Sequence, residues 1–137
     1  MSTSTISTLS PSTNPTPTNL DTLYILQKRA SNLAVCAETR ATALATELSR
    51  RSTLLENQDW KVQRLGLKLR QNHHANECFE EEFKLAVELY MELCNECNEA
   101  EVAFMEAERE SRRRREEVKR AEERCIRAVW RRSGAGG

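Results

Sequence analysis

The chain has 137 residues, of which 31% are charged and 5% are aromatic. So few aromatic side chains exclude a large globular core and favour an elongated helix, which needs only one apolar stripe. Because the 21 basic and 21 acidic side chains cancel, the net charge indicates no particular class of partner.

The first nineteen residues are predicted to be a disordered tail. Eleven of the first twenty residues are Ser or Thr, and all three prolines lie within the first seventeen. Proline blocks helix formation, and a segment so poor in apolar residues cannot offset the chain entropy that folding costs. At the other end, residues 133–137 include three glycines and are predicted to be flexible.

Residues 20–132 are predicted to be helical and to contain a coiled coil. Thr18 or Asn19 caps the first turn, where the helix dipole favours the carboxylate of Asp21. From there on, mostly apolar or small residues recur at alternating steps of four and three. This heptad repeat is typical of a helix that pairs with another helix through its a and d positions. We predict a protein-binding seam formed by Leu44, Leu48, Leu55, Val62, Leu65, Leu69, Phe79, Phe83, Tyr90, Leu93, Cys97, Phe104 and Val118.

The midpoint of this region leaves two arrangements open. Asn72 and Asn76 occupy successive seam positions, which suits either a turn or buried asparagines that fix the register of a longer helix. The opposite charges of residues 50–70 (+4) and 80–100 (−6) favour a turn and an antiparallel helical hairpin. The heptad phase continues unchanged across 72–76, and the segment lacks Gly and Pro. These two features favour one continuous helix.

Basic residues dominate the last part of the chain. Residues 109–132 carry a net charge of +6, whereas residues 77–108 carry −10. Clustered cations bind nucleic-acid phosphates, and the candidate residues here are Arg112, Arg113, Arg114, Arg115, Lys119, Arg120, Arg131 and Arg132. The interleaved acids and the lack of alternating aromatic residues instead favour a solvent-exposed helix with its own ion pairs.

The five cysteines cannot all pair within the chain, and the N-terminus lacks the features of a secretory signal. We therefore expect reduced thiols in an intracellular protein, either cytoplasmic or nuclear. No apolar run is long enough to span a membrane. Cys94 and Cys97 form a single C-x-x-C pair, with His74 and Cys78 upstream. Because a convincing zinc site needs a second such pair, we expect no metal or other cofactor.

These observations predict an all-α protein whose 20–132 region is a long coiled-coil helix, either unbroken or turned near 72–76. The expected function is non-catalytic. We predict an oligomerisation, scaffold or adaptor protein that binds itself, as a homodimer or higher oligomer, or another coiled-coil protein. The alternative is a dimeric nucleic-acid-binding protein that uses residues 112–132. We expect no enzymatic activity, because a helical rod offers no cleft that excludes water.

Overall fold

The computed structural model describes residues 19–71 and 77–134, and these form two long α-helices. Helix α1 spans Leu20–Gln71 and helix α2 spans Glu77–Arg132. The predicted all-α fold is thus confirmed, and the described residues include no strand. The predicted tail up to residue 18, the midpoint 72–76 and the last three residues lie outside the described part of the chain.

The outer ends of the two helices are capped as local sequence rules require. The Asn19 side-chain oxygen accepts a hydrogen bond of 2.9 Å from the backbone N–H of Asp21, so of the two predicted capping residues Asn19 performs this role. After α2, Gly134 adopts a φ of 78°, a left-handed conformation that glycine reaches without steric cost. Its N–H donates to the carbonyl of Arg131, which closes the last turn.

The two helices pack against each other in antiparallel directions. Along α1, Ser52 contacts Cys97 at 3.5 Å, and further on Gly66 lies beside the ring of Phe83. As the residue number rises along α1, the number of the residue that it contacts in α2 therefore falls. Of the two arrangements that the sequence left open, the antiparallel helical pair is correct.

The other arrangement, one continuous helix, was favoured by the unbroken heptad phase but is not the one observed. In an antiparallel pair, an a position of one helix lies at the level of a d position of the other. Leu65 is a d residue and Phe83 an a residue, and the glycine that follows Leu65 contacts the Phe83 ring. A heptad that resumes in phase after a turn satisfies this pairing fully, so the phase could not distinguish the two arrangements.

The contacts divide the chain into two compact units, and each helix contributes one segment to each unit. The described residues of the terminal unit are 19–37 and 110–134, and those of the central unit are 38–71 and 77–109. Every described heptad a and d position in both units is buried or half-buried. The deepest apolar positions are mostly alanines, among them Ala34 and Ala121 in the terminal unit and Ala41 and Ala86 in the central unit.

Candidate interaction surfaces

The residues of the predicted protein-binding seam form the inner faces of the two helices. Leu65 is buried and the others are half-buried, and all but Val118 belong to the central unit. The structure therefore brings the seam together within one chain, where α2 supplies the helical partner that the heptad of α1 requires. That the seam also binds another protein stays a prediction.

Polar side chains interrupt the seam in the middle of the central unit. Arg51, at a d position, donates hydrogen bonds of 2.7 Å to Glu47 on its own helix and 3.0 Å to Glu96 on α2. Glu47 also accepts a hydrogen bond of 2.7 Å from Arg50. Together the hydrogen bonds from Arg50 and Arg51 lower the pKa of Glu47 from 4.5 to about 2. This cluster joins the two helices by charge at a level where apolar packing is weak.

A second polar group surrounds Tyr90. The pKa of the Tyr90 hydroxyl is raised by a hydrogen bond with the Cys94 side chain and, to a smaller extent, by the nearby charge of Asp59. Tyr90 and Asp59 also line a groove of about 330 Å³ together with Ser49, Ser52, Thr53, Leu55 and Glu56. The predicted seam residue Tyr90 therefore lies at the edge of the helical pair rather than in a closed core.

The largest exposed aromatic side chain of the central unit is that of Trp60, 67% of which is accessible. It borders a groove of about 500 Å³ whose other lining residues are Val62, Gln63, Arg64, Gly66, Leu67, Arg70 and Phe83. Gly66 creates the space for this groove, because a Cβ atom there would lie 3.3 Å from Cε1 of Phe83. We call this site the Trp60 groove. It combines an apolar surface with two arginines.

The outer face of α2 in the central unit carries an uncharged row that the sequence analysis did not identify. We call it the α2 stripe, and it consists of Met91, Asn95, Asn98, Val102 and Met105. Its steps of four and three repeat the seam spacing on a different side of the helix. Met91 is 61% exposed and Val102 is 55% exposed. The detectable signal was the absence of charge at these five positions within a segment whose net charge is −10.

The predicted nucleic-acid-binding residues all lie in the terminal unit, but their surroundings differ. Arg113 and Arg114 each form ion pairs with both Glu110 and Glu117. The pKa of Glu110 is lowered by Arg113 and then Arg114, and that of Arg114 is raised by Glu110 and then Glu117. These two arginines therefore stabilise their own helix, as the interleaved acids predicted.

The remaining members of the predicted basic set are not all together. Arg112, Arg115 and Lys119 line one groove of about 480 Å³, with Ser31, Ala34, Val35, Glu116 and Val118. We call this the basic groove. Arg120, Arg131 and Arg132 are exposed on the same helix and do not line it.

In the described ranges, no three His, Cys, Asp or Glu side chains come together in a way that would hold a metal ion. His73 and His74 fall outside these ranges. Neither helix, over the residues that the structure describes, has an apolar stretch long enough to cross a membrane. Comparisons of the chain with protein-family models, curated proteins and solved structures find no match.

Proposed function

We propose that this chain is a non-catalytic scaffold that works by binding further copies of itself. The observation that carries the proposal is the set of large apolar side chains left exposed after the seam has been filled. In the central unit these include Trp60 at 67%, Met91 at 61% and Val102 at 55% exposure. Large apolar side chains left exposed on the outer faces of paired helices support a site that another protein covers.

The distribution of charge supports self-association in particular. Residues 50–70 carry a net charge of +4 and residues 80–100 carry −6, and both segments belong to the central unit. Each copy therefore offers a basic surface and an acidic surface, and charge complementarity between such surfaces selects partners and speeds their encounter. A second copy supplies both surfaces without any other protein.

The non-catalytic part of the proposal rests on the form of the grooves. The Trp60 groove, the basic groove and the groove beside Tyr90 run along open helix surfaces. Enzymes generally need a cleft that surrounds the substrate and excludes water. A helical surface of this form is better suited to binding another helix.

Light scattering in line with size exclusion tests the proposal on the full reduced chain over a range of concentrations. We expect a mass of at least twice the 15.7 kDa of one chain, which falls towards the monomer mass on dilution. A mass of one chain at every concentration would exclude self-association. Circular dichroism of the same samples verifies that the helices are intact.

Binding of nucleic acid by the terminal unit is a second candidate function, favoured by the basic groove. Three cations that line one groove could contact successive phosphates of a strand. Filter binding against salt tests this candidate. Binding at about 50 mM salt that falls steeply as salt rises, and is lost in Arg112→Glu with Lys119→Glu, supports it. Arg40→Glu with Lys61→Glu, two exposed positions of the central unit, is the control for charge. No binding by the natural chain at low salt removes the candidate.

A further inference from the structure

The α2 stripe has the spacing of a second helix-pairing surface. Its five positions follow one another at the heptad steps of four and three, as the buried seam does, but they lie on the outer side of α2. None of the five is charged, whereas Glu92, Glu99 and Glu101 stand beside them in the sequence and are exposed. The stripe is therefore a narrow uncharged track bordered by carboxylates.

The Trp60 groove has the opposite charge and also contains apolar surface. Trp60 and Leu67 lie seven residues apart, which places them on the same side of α1. They are 67% and 50% exposed and provide the apolar part of the groove. Arg64 and Arg70 line the same groove. The missing side chain of Gly66 leaves a depression between the apolar residues and Phe83. Side chains such as Met fit depressions of this kind, because they adapt their shape.

We propose that two copies of this chain associate reciprocally through their central units, with the α2 stripe of each copy in the Trp60 groove of the other. The carboxylates that border the stripe then face the arginines of the groove. A two-fold arrangement makes the same contact twice, so the interface closes and growth stops at the dimer. This inference rests on the proposed self-association and names the surfaces responsible for it.

Apolar substitutions in the stripe provide the first test, with sedimentation velocity of the full chain as the measurement. Met91→Gln with Met105→Gln should raise the dimer dissociation constant by about tenfold or more, as truncation of central apolar contacts does in other interfaces. The matched control is Leu85→Gln with Leu89→Gln. These leucines are also exposed on α2, at 57% and 44%, but lie off the stripe, and their replacement should change the constant by less than about threefold.

A charge exchange provides the second test and identifies the pairing across copies. One variant carries Arg64→Glu and Arg70→Glu, and another carries Glu99→Lys and Glu101→Lys. Each variant alone places like charges at both contacts and should be monomeric. Mixed in equal amounts, the two variants place opposite charges at both contacts and should form a heterodimer, which native mass spectrometry detects.

The emission of Trp60 gives a third readout in a Trp130→Phe background. Burial in the dimer should shift the emission of Trp60 to shorter wavelength as the concentration rises. One outcome is that the natural chain dimerises while the stripe substitutions and the charge exchange leave the dissociation constant unchanged and the Trp60 emission does not shift. In that case the proposed surfaces are wrong while the proposed function stands. A natural chain that stays monomeric overturns both.

Discussion

Gln58 and Ala86 lie on different helices of the central unit and are joined by a buried hydrogen bond. The Nε2–H of Gln58 donates to the carbonyl oxygen of Ala86 at 2.9 Å, and the two residues are only 8% and 6% exposed. Because Gln58 occupies a d position, an amide stands where the seam would otherwise hold an apolar side chain. A buried polar group at such a position fixes the register of paired helices at some cost in stability.

Replacement of Gln58 separates its packing from its hydrogen bond. Gln58→Leu should stabilise the chain by about 1 kcal/mol, because the apolar burial gained exceeds the net value of one hydrogen bond. The Ala86 carbonyl keeps its bond within α2, so the change leaves no buried acceptor without a partner. Gln58→Ala should destabilise by about 2 kcal/mol, since it also leaves a void. Urea denaturation followed by circular dichroism measures both, and an equal loss in both variants would contradict the argument.

Gly66 offers a test of close packing between the helices. Gly66→Ala gains about 1 kcal/mol of helix propensity, but the new methyl would lie 3.3 Å from the Phe83 ring. The ring is half-buried and lines an open groove, so it can move by a few tenths of an ångström. We expect a net stabilisation of about 0.5 kcal/mol.

A double-mutant cycle isolates the contact between residues 66 and 83. In a Phe83→Leu background, Gly66→Ala should give its full helical gain of about 1 kcal/mol, because the ring is absent. Thermal or urea unfolding of the four proteins gives the coupling energy. A loss of more than about 1 kcal/mol in the natural background would mean that Phe83 is fixed in place.

The Glu47 cluster makes stability depend on pH. The pKa of Glu47 is about 2 in the folded chain against an ordinary value of 4.5. The stabilisation is therefore complete above pH 4.5 and is lost as the pH falls towards 2. In Glu47→Gln the urea midpoint should change less over this range than in the natural chain. The pairing of Glu110 with Arg113 and Arg114 leaves some acid dependence in that variant.

The control for Glu47→Gln is Glu122→Gln, which removes one exposed carboxylate from α2. If both variants keep the same pH dependence as the natural chain, the arginine pairs of Glu47 do not contribute. High salt should reduce the difference between Glu47→Gln and the natural chain, because partly exposed ion pairs are screened.

The sequence was sufficient to predict the helical class and the inner faces of the helices, and the reason is periodicity. Leu65 and Leu69 recur with the seam spacing, and both are buried or half-buried. The antiparallel arrangement was not predictable from that spacing, because an antiparallel pair and a continuous helix satisfy the same a and d positions. The opposite net charges of residues 50–70 and 80–100 favoured the antiparallel pair, which is the arrangement observed.

The surfaces outside the seam were harder to predict, since they depend on which residues of two helices become neighbours. The cations of the basic groove were predicted together with Arg113 and Arg114, yet these two arginines are held by Glu110 and Glu117. The Trp60 groove depends on a glycine in one helix and a phenylalanine in the other. No spacing within one helix reports that kind of contact.

The five cysteines should differ in reactivity according to their burial. All are free thiols; Cys36 and Cys78 are exposed, whereas Cys125 is 5% exposed in the seam of the terminal unit. Because a reagent must reach the sulfur to react, pulsed alkylation with mass spectrometry should label Cys36 and Cys78 first. Cys125 should be labelled only as fast as the terminal unit opens. In urea all five should react together, and labelling of Cys125 as fast as Cys36 in the native chain would mean that this part of the seam is open in solution.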